Sequence, residues 1–389
     1  MTRRFAMDRR RFLTAAALAG GSGLALSAVG GRPATAGVGR AAPSPVLPSR
    51  AEVIAVLRRV NDHWIGAHTD PGDDKWARAT YFSGDLALHR LTGDGRYLDY
   101  ARTWAEKWSY GLNTGVSTRL ADNQCAGQAY LDLNEVEPAK EKVAAIEESL
   151  RLMVEGSDAA KDDDWWWVDA LHMAMPPFAR VGSLLGDTRY WDKMDALYAH
   201  TKNVEGGHGL YRAADALWWR DKRFVLPGGT KSPNGKSVYW SRGNGWALAA
   251  FAKVLPVLPA GRAKEYRARL QAMAAALRKV QRSDGFWNVD LGDPAHLPGP
   301  ETSGTALFAY GIAYGVGAGL LDRATYLPVV ARAWNGMVAT AVHPDGVLGY
   351  VQGVGYEPES SQPVTYDGTT DFGVGGFLLA GTEVARLTT

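Results

Sequence analysis

Three segments of the chain repeat one pattern. Arg90–Ala101, Leu184–Met194 and Leu320–Val330 each end an apolar helical stretch in a short polar turn, and a tyrosine (Tyr97, Tyr190, Tyr326) opens the next helix. Helix–turn–helix units of this kind cannot bury their apolar faces alone, so they must stack on one another. Helical spacing runs almost throughout from Arg50, as in Val53, Val56, Leu57, Val60 and Trp64. Period-two strand runs are scarce. A second helix is expected from Tyr97 to Trp108. About six hairpins fit residues 50–389. Glycines 84, 182, 245, 304 and 375 fall where helices must start or pack closely. Aromatic motifs recur about once per hairpin, as if facing one shared mouth, which favours a closed toroid over an open solenoid. The fold expected is all-α, with 50–389 as one domain.

Composition bears on what precedes this domain. Net charge is +2, but residues 1–36 hold six basic residues and one acidic, leaving 37 basic and 40 acidic in the rest. The excess positive charge belongs to the leader, so no nucleic-acid footprint follows. Asp8-Arg9-Arg10-Arg11-Phe12-Leu13 has the twin-arginine pattern, a glycine-interrupted apolar stretch follows, and Ala34-Thr35-Ala36 fits a cleavage site. Residues 1–36 are therefore expected to be a twin-arginine signal peptide, 37–49 a flexible lead-in, and the product secreted, with no membrane association after processing. Cys125 is the only cysteine, so no intrachain disulfide forms. That route carries folded proteins, which suits a large disulfide-free chain.

The motifs that carry chemistry open helices. In Trp165–Pro176 a single carboxylate, Asp169, sits in an apolar and aromatic run. Burial there disfavours the charged form and raises the pKa, as general acid catalysis needs. The other reading makes Asp169 an N-cap for the helix that follows. Aromatic rings facing a cleft are what a sugar stacks on. Leu120–Tyr130 carries Asp122, again an acid or an N-cap. Leu217–Asp221 places Arg220 within a long Gly-, Pro- and Lys-rich connection. In Tyr239–Trp246, the Arg242 guanidinium is expected between Trp240 and Trp246, suited to a carboxylate on a ring-shaped ligand or forming a surface cation–π cluster. Pro300–Thr305 looks like a capped helix start, with Thr302 and Ser303 as candidate caps. Gly349–Gln352 and residues 366–375 are expected to close the ring near its mouth. There is no phosphate loop, G-x-S-x-G elbow, paired CxxC or HExxH, and the eight histidines are scattered. No metal or cofactor is expected.

Three of these motifs, Trp167-x-Asp169-x-x-x-Met173-Ala174-x-Pro176, Trp240-x-Arg242-Gly-Asn-Gly-Trp246 and Glu301-Thr-Ser-Gly-Thr-Ala306, occur in the order seen in unsaturated glucuronyl and rhamnogalacturonyl hydrolases. The chain resembles glycoside hydrolase families 88 and 105 over nearly all of 50–389. The resemblance implies an (α/α)6 barrel with the site at its mouth. It implies a substrate, too: oligosaccharides that polysaccharide lyases leave with a 4,5-unsaturated uronic acid at the non-reducing end. An acid protonates C4, water adds at C5, and the hemiketal opens to release the rest. By the same resemblance Asp169 is the proton donor and Asp122 the second acidic residue. Trp167 and Met173 line the pocket, and Trp240, Arg242 and Trp246 bind the uronate. Tyr81 and His172 join them as candidate substrate-binding residues. The family's Leu-Tyr-His-like stretch reads Leu210-Tyr211-Arg212 here, and Arg220 is the candidate to take over its polar role. An inverting glycosidase using Asp122 and Asp169 about 6.5–9.5 Å apart, a non-catalytic sugar-binding protein and a helical-repeat interaction protein remain alternatives. The parent polysaccharide and the oligomeric state stay open, with a monomer expected.

Overall fold

In the computed structural model, which describes residues 42–388, helices alternate between an outer and an inner ring. Outer α1 (Arg50–Ala67) leads to inner α2 (Trp76–Thr92). Outer α3 (Gly95–Lys107) leads to inner α4 (Ala121–Gln124) and α5 (Ala126–Val136), one helix interrupted at Cys125. The pattern continues with outer α6 (Lys140–Glu155) and inner α7 (Ala170–Leu185), then outer α8 (Thr188–Asn203) and inner α9 (Ser241–Val254). Outer α10 (Ala263–Val280) with inner α11 (Thr302–Gly317), and outer α12 (Arg323–Thr340) with inner α13 (Asp371–Leu387), complete it. Inner neighbours pack in the order α2, α5, α7, α9, α11, α13, and α13 packs back on α2. That last contact closes an (α/α)6 barrel.

The two rings differ in sequence because they differ in burial. Outer α1 buries one stripe, Val53, Leu57, Val60 and Trp64. Inner α11 buries 14 of its 16 residues and is built largely from Gly, Ala and Thr. Small residues let inner backbones approach closely. A Cβ on Gly375 of α13 would lie 2.4 Å from the Thr80 carbonyl of α2, and one on Gly84 2.4 Å from the Gly375 carbonyl. Only glycine permits that crossing.

The three repeated segments are the turns from an inner helix to the next outer one, α2 to α3, α7 to α8 and α11 to α12. Asp94, Asp187 and Asp322 cap the outer helices by accepting from the backbone N–H of Arg96, Arg189 and Thr325. The Asp94 cap starts α3 at Gly95, two residues before the expected Tyr97. At the opposite ends the inner helices begin together. Trp76 at the start of α2 lies against Trp246 of α9 and Phe372 of α13, with ring centroids 6.2 and 5.2 Å away. Gly304 of α11 abuts Ser241 of α9. The mouth is ringed by helix N-termini, whose partial positive charge favours an anionic ligand.

The expected signal peptide and the first part of the expected lead-in lie outside the described residues. The rest of the lead-in, expected to be flexible, is docked: the Ser44 and Val46 carbonyls accept from Asn335 of α12. Between α8 and α9, β1 (Tyr211–Arg212) and β2 (Leu217–Trp218) pair antiparallel, Tyr211 opposite Trp218.

Candidate active site

Asp169 occupies the N-cap position of α7, yet its side chain makes no capping bond. A neighbouring strand explains this. The Val168 N–H donates to the Arg220 carbonyl at 2.8 Å, and Trp167 bridges Asp221. This pairing brings the Arg220 side chain over the start of α7, where Nε donates to Asp169 Oδ2 at 3.0 Å. Asn244 of α9 holds the strand in place: its Oδ1 accepts from the Trp218 N–H at 2.8 Å, and its Nδ2 donates to the Trp218 and Trp240 carbonyls. Gly243 keeps the space open, since a Cβ there would stand 3.1 Å from Val168 and 3.9 Å from Asp169 Oδ1.

Asp169 is 7% exposed. Burial raises its pKa, and Arg220 and Arg242 pull against that rise without cancelling it. Asp122, in α4, caps nothing either. Burial, followed by the nearby charge of Asp169, pushes the Asp122 carboxyl up to about 7, with Arg220 opposing. Two carboxyls in each other's field titrate as a pair. Near neutral pH such a pair holds a proton to give and a carboxylate to take one back.

The remaining candidates divide. Of the three tryptophans, Trp165 is core and Trp167 is 2% exposed, while Trp166 presents its ring to solvent at 45%. Trp167 therefore offers little open surface for a sugar; its place is in the pairing with Asp221. Arg242 is not between Trp240 and Trp246. Its guanidinium lies 4.4 Å from the Trp240 ring and 4.9 Å from Phe372, while Trp246 packs on Trp76 and His172. It is buried rather than on the surface, and Nη1 and Nη2 donate to the Gln352 and Gly353 carbonyls at 2.7 and 2.9 Å. These two bonds use two of the five guanidinium N–H donors, and the charge of Arg242 lies close enough to act on Asp169. Burial holds Arg242 down to about 10, which leaves it protonated at neutral pH.

Tyr81 does not reach the mouth. It faces the outer ring, donating to Asn61 Oδ1 of α1 at 2.8 Å, and has no exposed surface. The α2 aromatic at the mouth is Trp76, at the first residue of that helix. His172 and Met173 are buried in the barrel wall. At the start of α11 the cap is Glu301, not Thr302 or Ser303. Its carboxylate accepts from the Ser303 and Gly304 N–H groups and from the Ser303 hydroxyl, and Thr302 turns to the Gly349 carbonyl.

Residues 52–388 match the family model described as Glycosyl Hydrolase Family 88. The chain belongs to glycosyl hydrolase family 88. It is similar to an unsaturated 3S-rhamnoglycuronyl hydrolase from Formosa agariphila, 32% identical over 335 residues, covering 80% of this chain and 84% of that protein. A solved family 88 glycosyl hydrolase from Bacteroides vulgatus is 35% identical with a TM-score of 0.81, covering 87% of this chain and 99% of the other. A structure titled polysaccharide lyase is 34% identical, also with a TM-score of 0.81, covering 87% and 98%. The protein is a glycosidase.

In this family 88 glycosidase two glutamines complete the site; both lie in segments that the sequence marked, but neither was a candidate site residue. Gln352 is fully buried: its Oε1 accepts from Trp240 Nε1, its Nε2 donates to the Pro358 and Ser360 carbonyls, and its N–H donates to Glu301. It ties the 352–362 loop to the starts of α9 and α11. Gln128 supports the helix that begins at Asp169. Pro176 and Pro177 lie inside α7 and cannot donate to the carbonyls four residues earlier, those of His172 and Met173. Gln128 Nε2 donates to both, at 2.7 and 3.4 Å. The two prolines signal that a donor is needed; nothing in the sequence says which residue supplies it.

Proposed function

We propose that the enzyme removes 4,5-unsaturated uronic acid from the non-reducing end of lyase-generated oligosaccharides by hydrating the C4=C5 bond. The observation that carries this is Asp169, a buried carboxyl of raised pKa held by Arg220 beside a second raised carboxyl, Asp122. The names of the relatives support the substrate class. Asp169 delivers its proton to C4, and positive charge develops at C5 and the ring oxygen. The Asp169 carboxylate left behind is stabilised by Arg220 Nε. Water attacks C5 and returns a proton to Asp169. The hemiketal at C5 opens to a ketone, and the hemiacetal this leaves at C1 releases the remaining saccharide as an alcohol. The positive ends of the inner helices and the charge of Arg242 draw the uronate carboxylate to the mouth.

Purified protein is expected to abolish the ultraviolet band of the conjugated double bond in unsaturated disaccharides. Asp169→Asn keeps the shape but carries no transferable proton, so kcat should fall by about 10²–10⁴-fold with the fold intact. Activity within a few-fold of the parent would remove Asp169 from the role of acid. We also propose export by the twin-arginine route, which the Arg9–Arg10 pair and Ala34-Thr35-Ala36 support.

A further inference from the structure

Two exposed aromatic side chains at the mouth have no part in the chemistry above. Trp166 is 45% exposed and Tyr356 67% exposed, while Trp165 and Trp167 beside Trp166 are buried. They come from different elements, Trp166 from the segment before α7 and Tyr356 from the loop between α12 and α13. One guanidinium joins them: Arg220 lies 5.7 Å from each ring centroid. The same Arg220 holds Asp169. The rings therefore flank the group that touches the acid.

The loop is built to hold Tyr356 out. Gln352 and Arg242 anchor its start. Gln352 also binds the carbonyls of Pro358 and Ser360 on its far side. Arg223 donates to the Tyr356 carbonyl at 2.7 Å and to Glu357 at 2.8 Å. An exposed ring on a loop pinned on both sides loses little further conformational entropy when a ligand stacks on it.

We propose that Trp166 and Tyr356 form the platform for the apolar face of the sugar that leaves. This rests on the function proposed above: with C4 of the uronate at Asp169, the next sugar passes over the neighbouring group, Arg220 and its two rings. The cations there are already paired, Arg220 with Asp169 and Asp221, and Arg223 with Asp221 and Glu357. Neither is left over for a charged substituent. The leaving sugar is recognised by stacking of its C–H face on the rings, and sulfation is not what selects it.

The test compares kcat/KM for an unsaturated uronate methyl glycoside, an unsulfated unsaturated disaccharide, and the same disaccharide sulfated on the leaving sugar. The parent should prefer the unsulfated disaccharide to the methyl glycoside. Trp166→Ala and Tyr356→Ala should each lower that preference about three- to tenfold, the range for one aromatic contact, and mainly through the KM of the disaccharide. Tyr356→Phe should keep it, because the ring makes the contact. Equal losses on both substrates would mean that the rings only support Arg220, and no loss on either would mean that they bind nothing; each overturns the platform. A tenfold or greater preference for the sulfated disaccharide would overturn recognition by stacking alone. A parent inactive on all three substrates would overturn the function itself, and the platform with it.

Discussion

Asp122 and Asp169 set the pH behaviour of the site. The proton of a raised carboxyl pair survives to about neutral pH, so kcat/KM should decline on the alkaline side of about pH 7, near the value to which Asp122 is pushed. The same shift affects stability. A carboxyl raised in the fold is neutral at no cost below its unfolded pKa, and its burial weighs against folding as pH rises through about 7. Asp122→Asn is therefore expected to melt about 2 °C above the parent at pH 8, with the gain shrinking as pH falls toward 4; a gain larger in acid than in base would contradict the raised pKa. Arg242 also latches the loop at the mouth through the Gln352 and Gly353 carbonyls. Lysine carries the charge but cannot reach two successive carbonyls or fill the gap between Trp240 and Phe372. Arg242→Lys should speed amide hydrogen exchange in 353–362 and lower kcat/KM by about 10–100-fold, in line with the loss of one or two charge-assisted hydrogen bonds. Unchanged exchange in that loop would mean the latch lies elsewhere.

At the scale of the helix, the site depends on α7 continuing through two prolines. Gln128 stands in for the two missing N–H groups, and its Oε1 is itself held by Lys253 Nζ at 2.9 Å. Gln128→Leu leaves two buried carbonyls without a donor and should cost about 2–4 kcal/mol, read as a lower denaturation midpoint. A loss under about 1 kcal/mol would show that α7 needs no replacement donor. The turns that the sequence repeats are legible because each is local: the capping Asp stands two or three residues ahead of the N–H it accepts from. The cap of α11 was harder to see. Glutamate is an uncommon cap, and here it serves because Ser303 and Gln352 also donate to its carboxylate.

For the whole molecule, ring closure matters more than any one motif. It requires α13 to reach α2, which Gly84 and Gly375 allow, and it gathers the inner N-termini around one opening. The positive field at the mouth follows from this topology, because the described and preceding residues together have almost no net charge. The proposed export also belongs to the whole chain. Arg9→Lys with Arg10→Lys should hold the precursor in the cell while activity in lysates is unchanged; undiminished secretion would point to another route.

The sequence by itself determined the helical period, the three capped turns, the glycines at helix crossings and the placing of an acid in apolar surroundings. Each depends on residues within a turn or two of one another, or on burial averaged over a segment. Only the tertiary structure decided which side chains meet. Asp169 and Arg220 are 51 positions apart and become partners through one strand pairing. Arg242 finds Gln352 at a separation of 110 and so latches the 352–362 loop, a partner its motif did not reveal. Tyr81 and Trp76 lie on the same helix, and only the docking of α1 tells which one faces the mouth and which the outer ring. Helical spacing assigns a residue to a face of its helix; which neighbour covers that face is set by long-range packing, and no local pattern encodes it.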